Sequence, residues 1–454
     1  MELTTLDRDG NEPALAATGA AAPYPPAGQA WYCVVVLALV VMINFLDRGI
    51  LTLLVEPIKH DLQLSDIQMS LIMGFAFTFF YAVLGLPIAR LVDSKSRKWI
   101  LTCGVTIWSV MTMACGLATN FWHLFVARMG LGVGETTSGP SAYSLLSDYF
   151  PPHRLPRAIS VMQVGFVLGT GLSMILGAWV IDFVAAHPQM SLPIVGQLHG
   201  WQMVLMLVSI PGLIVAGLMA TVREPARRGG KQMEHIPVSE VFRLILRHKL
   251  VYLPLFIGMG LRSASMFGTQ MWTPAFLTRT YGWTSSQVGY VTGLSVFLAM
   301  PVGLFLGNWL AERYWKRNVA DANLRVVVIS TAISVPFGVA GPLMPSPWLA
   351  VGCALIASAT SIMAAAPENA AVQTVTPNHL RGQVTFLFLF IMNVIGMGLG
   401  PLIVAGFSQY GFGEQGIRYA LTLTCLLTGL PAIYAFWRGM HPYGRAIASG
   451  KPLQ

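Results

Sequence analysis

Apolar residues along this chain collect into long runs, separated by short segments that carry charge, Pro or capping residues. A helix needs about 20 predominantly apolar residues to cross the hydrocarbon core of a bilayer. Twelve runs reach that length: 31–55, 67–91, 99–118, 122–146, 157–180 and 202–221, then 249–278, 286–311, 324–343, 348–374, 382–405 and 417–437. Pro140, Pro301 and Pro401 fall inside them, which membrane helices tolerate because neighbouring groups re-satisfy the freed backbone. The pattern predicts an all-α membrane protein of twelve transmembrane helices with short connections.

The runs repeat. SDIQ at 65–68 and TSSQ at 284–287 are both capping boxes, with Ser65 or Thr284 as N-cap and Gln68 or Gln287 three residues on. At the other ends of the same runs, ARLVDSKSRK and NWLAERYWKR place Asp93 and Glu312 at the same offset, so the spans are expected to form two pseudo-symmetric six-helix bundles. The expected organisation is a disordered cytoplasmic tail over 1–30, an N-terminal bundle over 31–221, a linker over 222–248, a C-terminal bundle over 249–438 and a cytoplasmic tail over 439–454. In the linker, Val238, Val241, Phe242 and Ile245 alternate with Arg243 and Arg247, which predicts an amphipathic helix lying on the cytoplasmic interface.

Composition agrees with a bilayer protein: 55% hydrophobic residues against 10% charged. The net charge of +9 is explained by orientation, because Lys and Arg collect on the cytoplasmic side. With both termini cytoplasmic, 22 of the 28 basic residues face that side and three lie within spans. Only Lys59, Arg279 and Arg418 face outside. The basic balance therefore carries no nucleic-acid signal. The first 30 residues lack the basic n-region and apolar core of a signal peptide. All five cysteines fall within spans without ligand spacing, so they are expected to be packing residues, with no metal site and no cofactor.

Chemistry concentrates in six ionisable residues inside the spans: Asp47, Arg48, Arg128, Glu135, Arg262 and Glu368. Each costs at least about 2.5 to 3.5 kcal/mol on insertion scales, so each needs a partner or a water-filled cavity. By depth, Asp47 and Arg128 are placed to meet, and Glu135 follows Arg128 two turns on, which suits a proton relay. Asp47 is assigned as the principal protonation site with Glu135 assisting, and Arg128 and Arg48 as the groups that set their proton affinity. Arg262 and Glu368, with Arg48, are expected to line the substrate cavity, Arg262 facing an anionic head group. The alternative for Asp47 and Arg128 is a permanent structural ion pair. The Gly-rich segments around Gly165, Gly169 and Gly171, and around Gly396, Gly398 and Gly400, are expected to serve helix packing.

These motifs carry a family resemblance. The sequence resembles the major facilitator superfamily from its first span to its twelfth. Its ARLVDSKSRK loop is similar to the family's G-x-L-A-D-R-x-G-R-R/K loop, with Asp93, Arg97 and Lys98 matching and Ala89 and Ser96 standing where Gly is usual. RMGLGVG at 128–134 resembles the family's R-x-x-x-G-x-G pattern. Within the superfamily, NFLDRGILTLLVEPIKHDLQLSD, RMGLGVGETTSGPSAYSLLSDYFP and GMGLGP resemble the Spinster-type branch, associated with sphingosine phosphate and lysophospholipid transport. Organic-anion symporters share the aromatic-x-Asp-Arg of the first passage.

The resemblance implies a proton-coupled secondary transporter of the bacterial inner membrane, working as a monomer by alternating access on a lysolipid or sphingoid amphiphile. Small organic anions or drugs are the alternative cargo, and a receptor that binds without transport is the alternative from another class. Asp93, Arg97, Lys98, Glu312, Asp148 and Arg381 are expected to latch the cytoplasmic helix ends in one conformation. The family's antiporter G-x-x-x-G-P run in helix five is absent, since helix five has Thr170 and the Pro appears in helix eleven. No nucleophile elbow, H-E-x-x-H or phosphate loop is present, so an enzyme is not expected.

Overall fold

The computed structural model describes residues 24–187, 191–192, 196–228 and 238–448. Apolar run length sets the architecture, because backbone polar groups in a bilayer must be satisfied within helices. Span 1 is Ala27–Leu53, and span 2 runs from Asp66 through a π-helical stretch at Leu71–Phe75 to Ser94. Span 3 is Arg97–Cys115, span 5 Leu155–Ala186 and span 6 Gly200–Thr221. Spans 7, 8 and 9 are Lys249–Tyr281, Ser285–Lys316 and Ala322–Ala340. Span 11 is Arg381–Phe412, with π-helical stretches at Met392–Leu399 and Phe407–Phe412, and span 12 is Ile417–Ala448.

Two runs break. Span 4 divides into Phe121–Glu135 and Ser138–Tyr149 at Thr136 and Thr137, whose hydroxyls donate to the carbonyls of Gly132 and Gly134. Neither half alone reaches crossing length, so among the described residues eleven apolar helical segments are long enough to span and the twelfth crossing is this broken pair. Span 10 divides at Ala364 into Pro347–Met363 and Ala365–Val375. A two-stranded hairpin, Ser191–Leu192 with Gly196–Gln197, is the only sheet among the described residues.

Both capping boxes form, on Ser65 with Gln68 and on Thr284 with Gln287. The linker contains the helix Val238–Arg247, with Val241 and Ile245 buried against the C-terminal bundle and Phe242 exposed. Residues 1–23 of the expected N-terminal tail, 229–237 of the linker and 449–454 lie outside the described residues. The last helix does not end near 438. It continues to Ala448, because Tyr443 is buried and Met440 packs on the core of the C-terminal bundle. Of the cysteines, Cys103 is exposed rather than packed.

Glycines set the closest helix approaches. A Cβ on Gly165 or Gly169 would meet the backbone of Ala38 or Met42, so spans 1 and 5 touch main chain to main chain. Spans 7 and 11 do so at Gly268 and Gly400. Between the bundles, span 5 meets span 8 at Gly171, Gly289 and Gly293, and span 2 meets span 11 where Gly74 faces the Met397 carbonyl.

The distribution of the core gives the molecule its polarity. Call the end carrying residues 27 and 448 the terminal end and the opposite one the far end. One apolar core runs through the N-terminal bundle and takes in Met271, Trp272, Phe276, Val404 and Ile417 from the far end of the C-terminal bundle. A second core, around Tyr252, Phe256, Val375, Phe388 and Phe436, belongs to the terminal end of the C-terminal bundle alone. The two bundles therefore share a core at the far end.

Candidate functional site

Span 1 carries Asp47 and Arg48 side by side on a helix, pointing about 100° apart. Arg48 turns to span 4, where both its Nε (2.8 Å) and Nη2 (2.5 Å) donate to Glu135 Oε2. Its guanidinium lies 4.3 Å from the centroid of the Phe77 ring, with Phe45 at 5.5 Å and Tyr81 at 5.8 Å. Aromatic faces attract a partly desolvated guanidinium, so the cage holds Arg48 in place while leaving its side chain 19% exposed.

Asp47 turns the other way. It is 1% exposed, and among the described residues neither carboxylate oxygen makes a hydrogen bond, the neighbouring Thr112 hydroxyl donating instead to the Trp108 carbonyl. Glu135, Arg128 and Arg48 all lie within electrostatic reach of it. The alternative reading, a permanent Asp47–Arg128 ion pair, is not formed among the described residues: Arg128 is buried, with its Nε unpartnered there. Among the described residues Glu135 Oε1 makes no hydrogen bond, with the Asn44 side chain nearby. The pairing that forms is Arg48 with Glu135, so the four residues that depth along the helices placed near one another do lie together, with Asp47 and Arg128 unpaired among the described residues.

In the C-terminal bundle Arg262 and Glu368 form a bidentate pair, Nε to Oε1 at 2.5 Å and Nη2 to Oε2 at 2.6 Å. Nη1 donates to Ser361 O (3.0 Å) and Oγ (3.2 Å). Both residues are buried, so in this conformation they close on each other rather than lining an open cavity. Planar fork geometry explains the match, since guanidinium and carboxylate offer two parallel hydrogen bonds.

The six expected latch residues do not join the bundles in this conformation. Arg97 is buried and contacts Asp148, both in the N-terminal bundle, and its Nε (3.2 Å) and backbone N (2.8 Å) reach Glu224 of the linker. Burial acts to raise the Glu224 carboxyl, but hydrogen bonds from Ser96 and Arg97 and the adjacent guanidinium outweigh it and hold the group below the usual carboxylate range. Asp93 contributes its carbonyl to Arg227, Lys98 lies over Trp99, and Glu312 pairs with Lys316 one turn away at 2.6 Å. Arg381 has an unpartnered Nε. Among the described residues Arg97, Asp148 and Asp93 tie the linker to one bundle, and none of the six pairs across the terminal ends.

The cross-bundle lock sits at the far end, where no candidate was expected. Asp66, 1% exposed at the start of span 2, accepts from Lys59 Nζ (2.5 Å), from Arg279 Nη2 (2.8 Å) and Nη1 (3.0 Å), and from Ser408 Oγ (2.7 Å). Arg279 Nε also donates to Glu56 (2.8 Å) and Lys59 to Glu414 (2.9 Å). One turn below, Trp272 Nε1 donates to Pro401 O (3.1 Å) and Ser70 Oγ (3.2 Å). A signal for it was present in the chain: Lys59 and Arg279 are two of the three basic residues at the minority end of the charge distribution. The third, Arg418, donates to the carbonyls of Pro342 and Met344.

The family model described as Major Facilitator Superfamily matches residues 37–401. An MFS-type efflux pump of Mycolicibacterium smegmatis is 28% identical over 427 residues, covering 92% of this chain and 94% of the relative. Protein spinster of Drosophila melanogaster is 22% identical over 298 residues, 63% of this chain and 47% of that protein. A crystal structure of a bacterial homologue of the human lysosomal transporter Spinster, in an inward-facing and unoccupied conformation, superposes with a TM-score of 0.76 at 24% identity, covering 94% of this chain and 99% of that one. The chain is a multi-pass integral membrane transporter and belongs to the Major Facilitator Superfamily.

Proposed function

We propose that this transporter is proton-coupled and moves a lysolipid or sphingoid-type amphiphile by alternating access, as a monomer in a bacterial inner membrane with its terminal end in the cytoplasm. The observation that carries the coupling is Asp47, a carboxyl group buried in the N-terminal bundle beside Glu135 and Arg128, with no ion pair and no hydrogen bond to either oxygen among the described residues. An isolated buried carboxylate is costly, and a proton removes that cost. Arg128 within electrostatic reach supplies the opposing influence, so a small shift of span 1 against span 4 loads or releases the proton. Glu135 and Arg48 couple this to the cavity, because Arg48 is bonded to Glu135 and is the member of the cluster that reaches open space.

Support for alternating access comes from the asymmetry of the contacts, with a shared core and an ion-pair lock at the far end and uncoupled charges at the terminal end. On the proposed orientation this is an inward-open form. The aromatic cage beside Arg48 supports a cargo with an anionic head and an apolar body. Export of a drug-like compound is the second reading, favoured by the efflux-pump relative, which aligns with this chain over nearly its whole length.

The test is flux of labelled lysophospholipid in proteoliposomes under an imposed pH gradient, with wild type, Asp47→Asn and a small carboxylate as competitor. Flux that follows the gradient and is lost in Asp47→Asn supports the proposal. Absent lipid flux removes the lipid assignment, and flux indifferent to the gradient removes the coupling. A protein that binds the lipid and moves nothing is a receptor.

A further inference from the structure

The continuation of span 12 past residue 438 builds a feature that the transport cycle does not use. Along this helix Leu427, Leu430, Tyr434 and Trp437 are exposed, at 53, 54, 61 and 61%. At 100° per residue they share one face with Arg438, His441 and Arg445, so a single stripe runs from aliphatic to aromatic to cationic. From Leu427 to Trp437 the stripe rises about 15 Å, half of a bilayer core of about 30 Å. Trp437 then falls at the depth where indoles settle between hydrocarbon and headgroups, with the three basic residues just beyond it.

Beside the cationic part lie two adjoining hollows of about 330 and 300 Å³ that share Asp321, Met440 and His441. The first is bounded by Trp437 and Arg438, the second by Arg445. Asp321 is engaged by Arg325 at 3.2 Å and sits only partly exposed at the edge of span 9. Arg438, His441 and Arg445 have neither ion pair nor hydrogen bond among the described residues. A charged trio on a groove, continuous with an apolar strip of acyl-chain length, has the complement of a phospholipid: phosphate against the arginines, one chain along Trp437, Tyr434 and Leu430.

We infer that this groove binds an anionic phospholipid of the leaflet at the terminal end, its headgroup phosphate held by Arg438, His441 and Arg445. The inference is independent of the cargo and of the coupling site. Its test is native mass spectrometry of the full chain titrated with phosphatidylglycerol and, separately, phosphatidylcholine. The variants are Arg438→Ala/Arg445→Ala and a control, Arg313→Ala/Arg317→Ala, which removes the same charge from the exposed end of span 8. The wild type is expected to prefer phosphatidylglycerol, and the groove variant to bind it roughly tenfold more weakly while the control keeps the preference. Millimolar inorganic phosphate is expected not to compete. Equal losses in the two variants mean nonspecific surface charge, and competition by phosphate means a free-anion site. Either outcome, or an unchanged groove variant, overturns the inference.

Discussion

Neutralising Asp66 tests the far-end lock directly. The Asp66→Asn variant keeps the shape and one acceptor oxygen but loses the charge that holds Lys59, Arg279 and Ser408 together. Arg279 retains Glu56 and Lys59 retains Glu414, so the lock is weakened and not abolished. A hydrogen bond to a charged group is worth about 1.5 to 3 kcal/mol, and the bidentate Arg279 pair crosses between bundles. The far-closed state should therefore lose about 2 to 3 kcal/mol relative to the far-open one, a shift of roughly 30- to 150-fold in their ratio. Ser70 lies one turn below the lock and is fully buried. In a background with Cys103 replaced, the alkylation rate of Ser70→Cys by a membrane-impermeant maleimide is proportional to the open population, however small that is. Asp66→Asn should raise this rate by one to two orders of magnitude. A rate within twofold of the parent, in a variant that is folded, refutes the lock.

Single contacts carry the other predictions. Gly74→Ala would drive a methyl group into the Met397 carbonyl and part spans 2 and 11, so it should raise the same Ser70→Cys alkylation rate without touching a charge. Arg262→Ala strands a buried carboxylate and should destabilise the C-terminal bundle by about 3 to 5 kcal/mol, whereas Arg262→Met with Glu368→Leu should recover most of it; denaturation midpoints decide. Glu224 has a folded-state pKa below its unfolded value, so its contribution is present above the usual carboxylate range and lost as pH falls through the depressed value. The difference in thermal midpoint between wild type and Glu224→Gln should then be constant from pH 8 to about 5.5 and shrink below about pH 4.

Legibility from sequence followed the range of the interactions. Run length and capping are local, so the spans and both capping boxes were readable, and the two breaks were not, because Thr136 and Thr137 satisfy the backbone through hydroxyl bonds that an apolar run does not reveal. Membership of the central cluster was readable because a charge inside a span is expensive wherever it sits. Its pairing was not, since a rotation of 100° per residue decides whether Asp47 or Arg48 faces Glu135. The far-end lock joins residues 213 and 342 positions apart around Asp66, each at a span end where charge is ordinary. The extension of span 12 was missed because its polar outer face ends the apolar run at 437, while Tyr443 still packs inward.

The coupling claim rests on Asp47 and is tested most directly by watching protons. Proteoliposomes of wild type and of Asp47→Asn, each loaded with a pH-sensitive dye, would be given lysophospholipid at equal starting pH. The account predicts a pH change inside the wild-type vesicles whose initial rate scales with lipid flux, and none in Asp47→Asn, although that variant folds and still binds the lipid. A wild type that moves lipid with no proton movement, or an Asp47→Asn variant that moves both at the wild-type ratio, contradicts it.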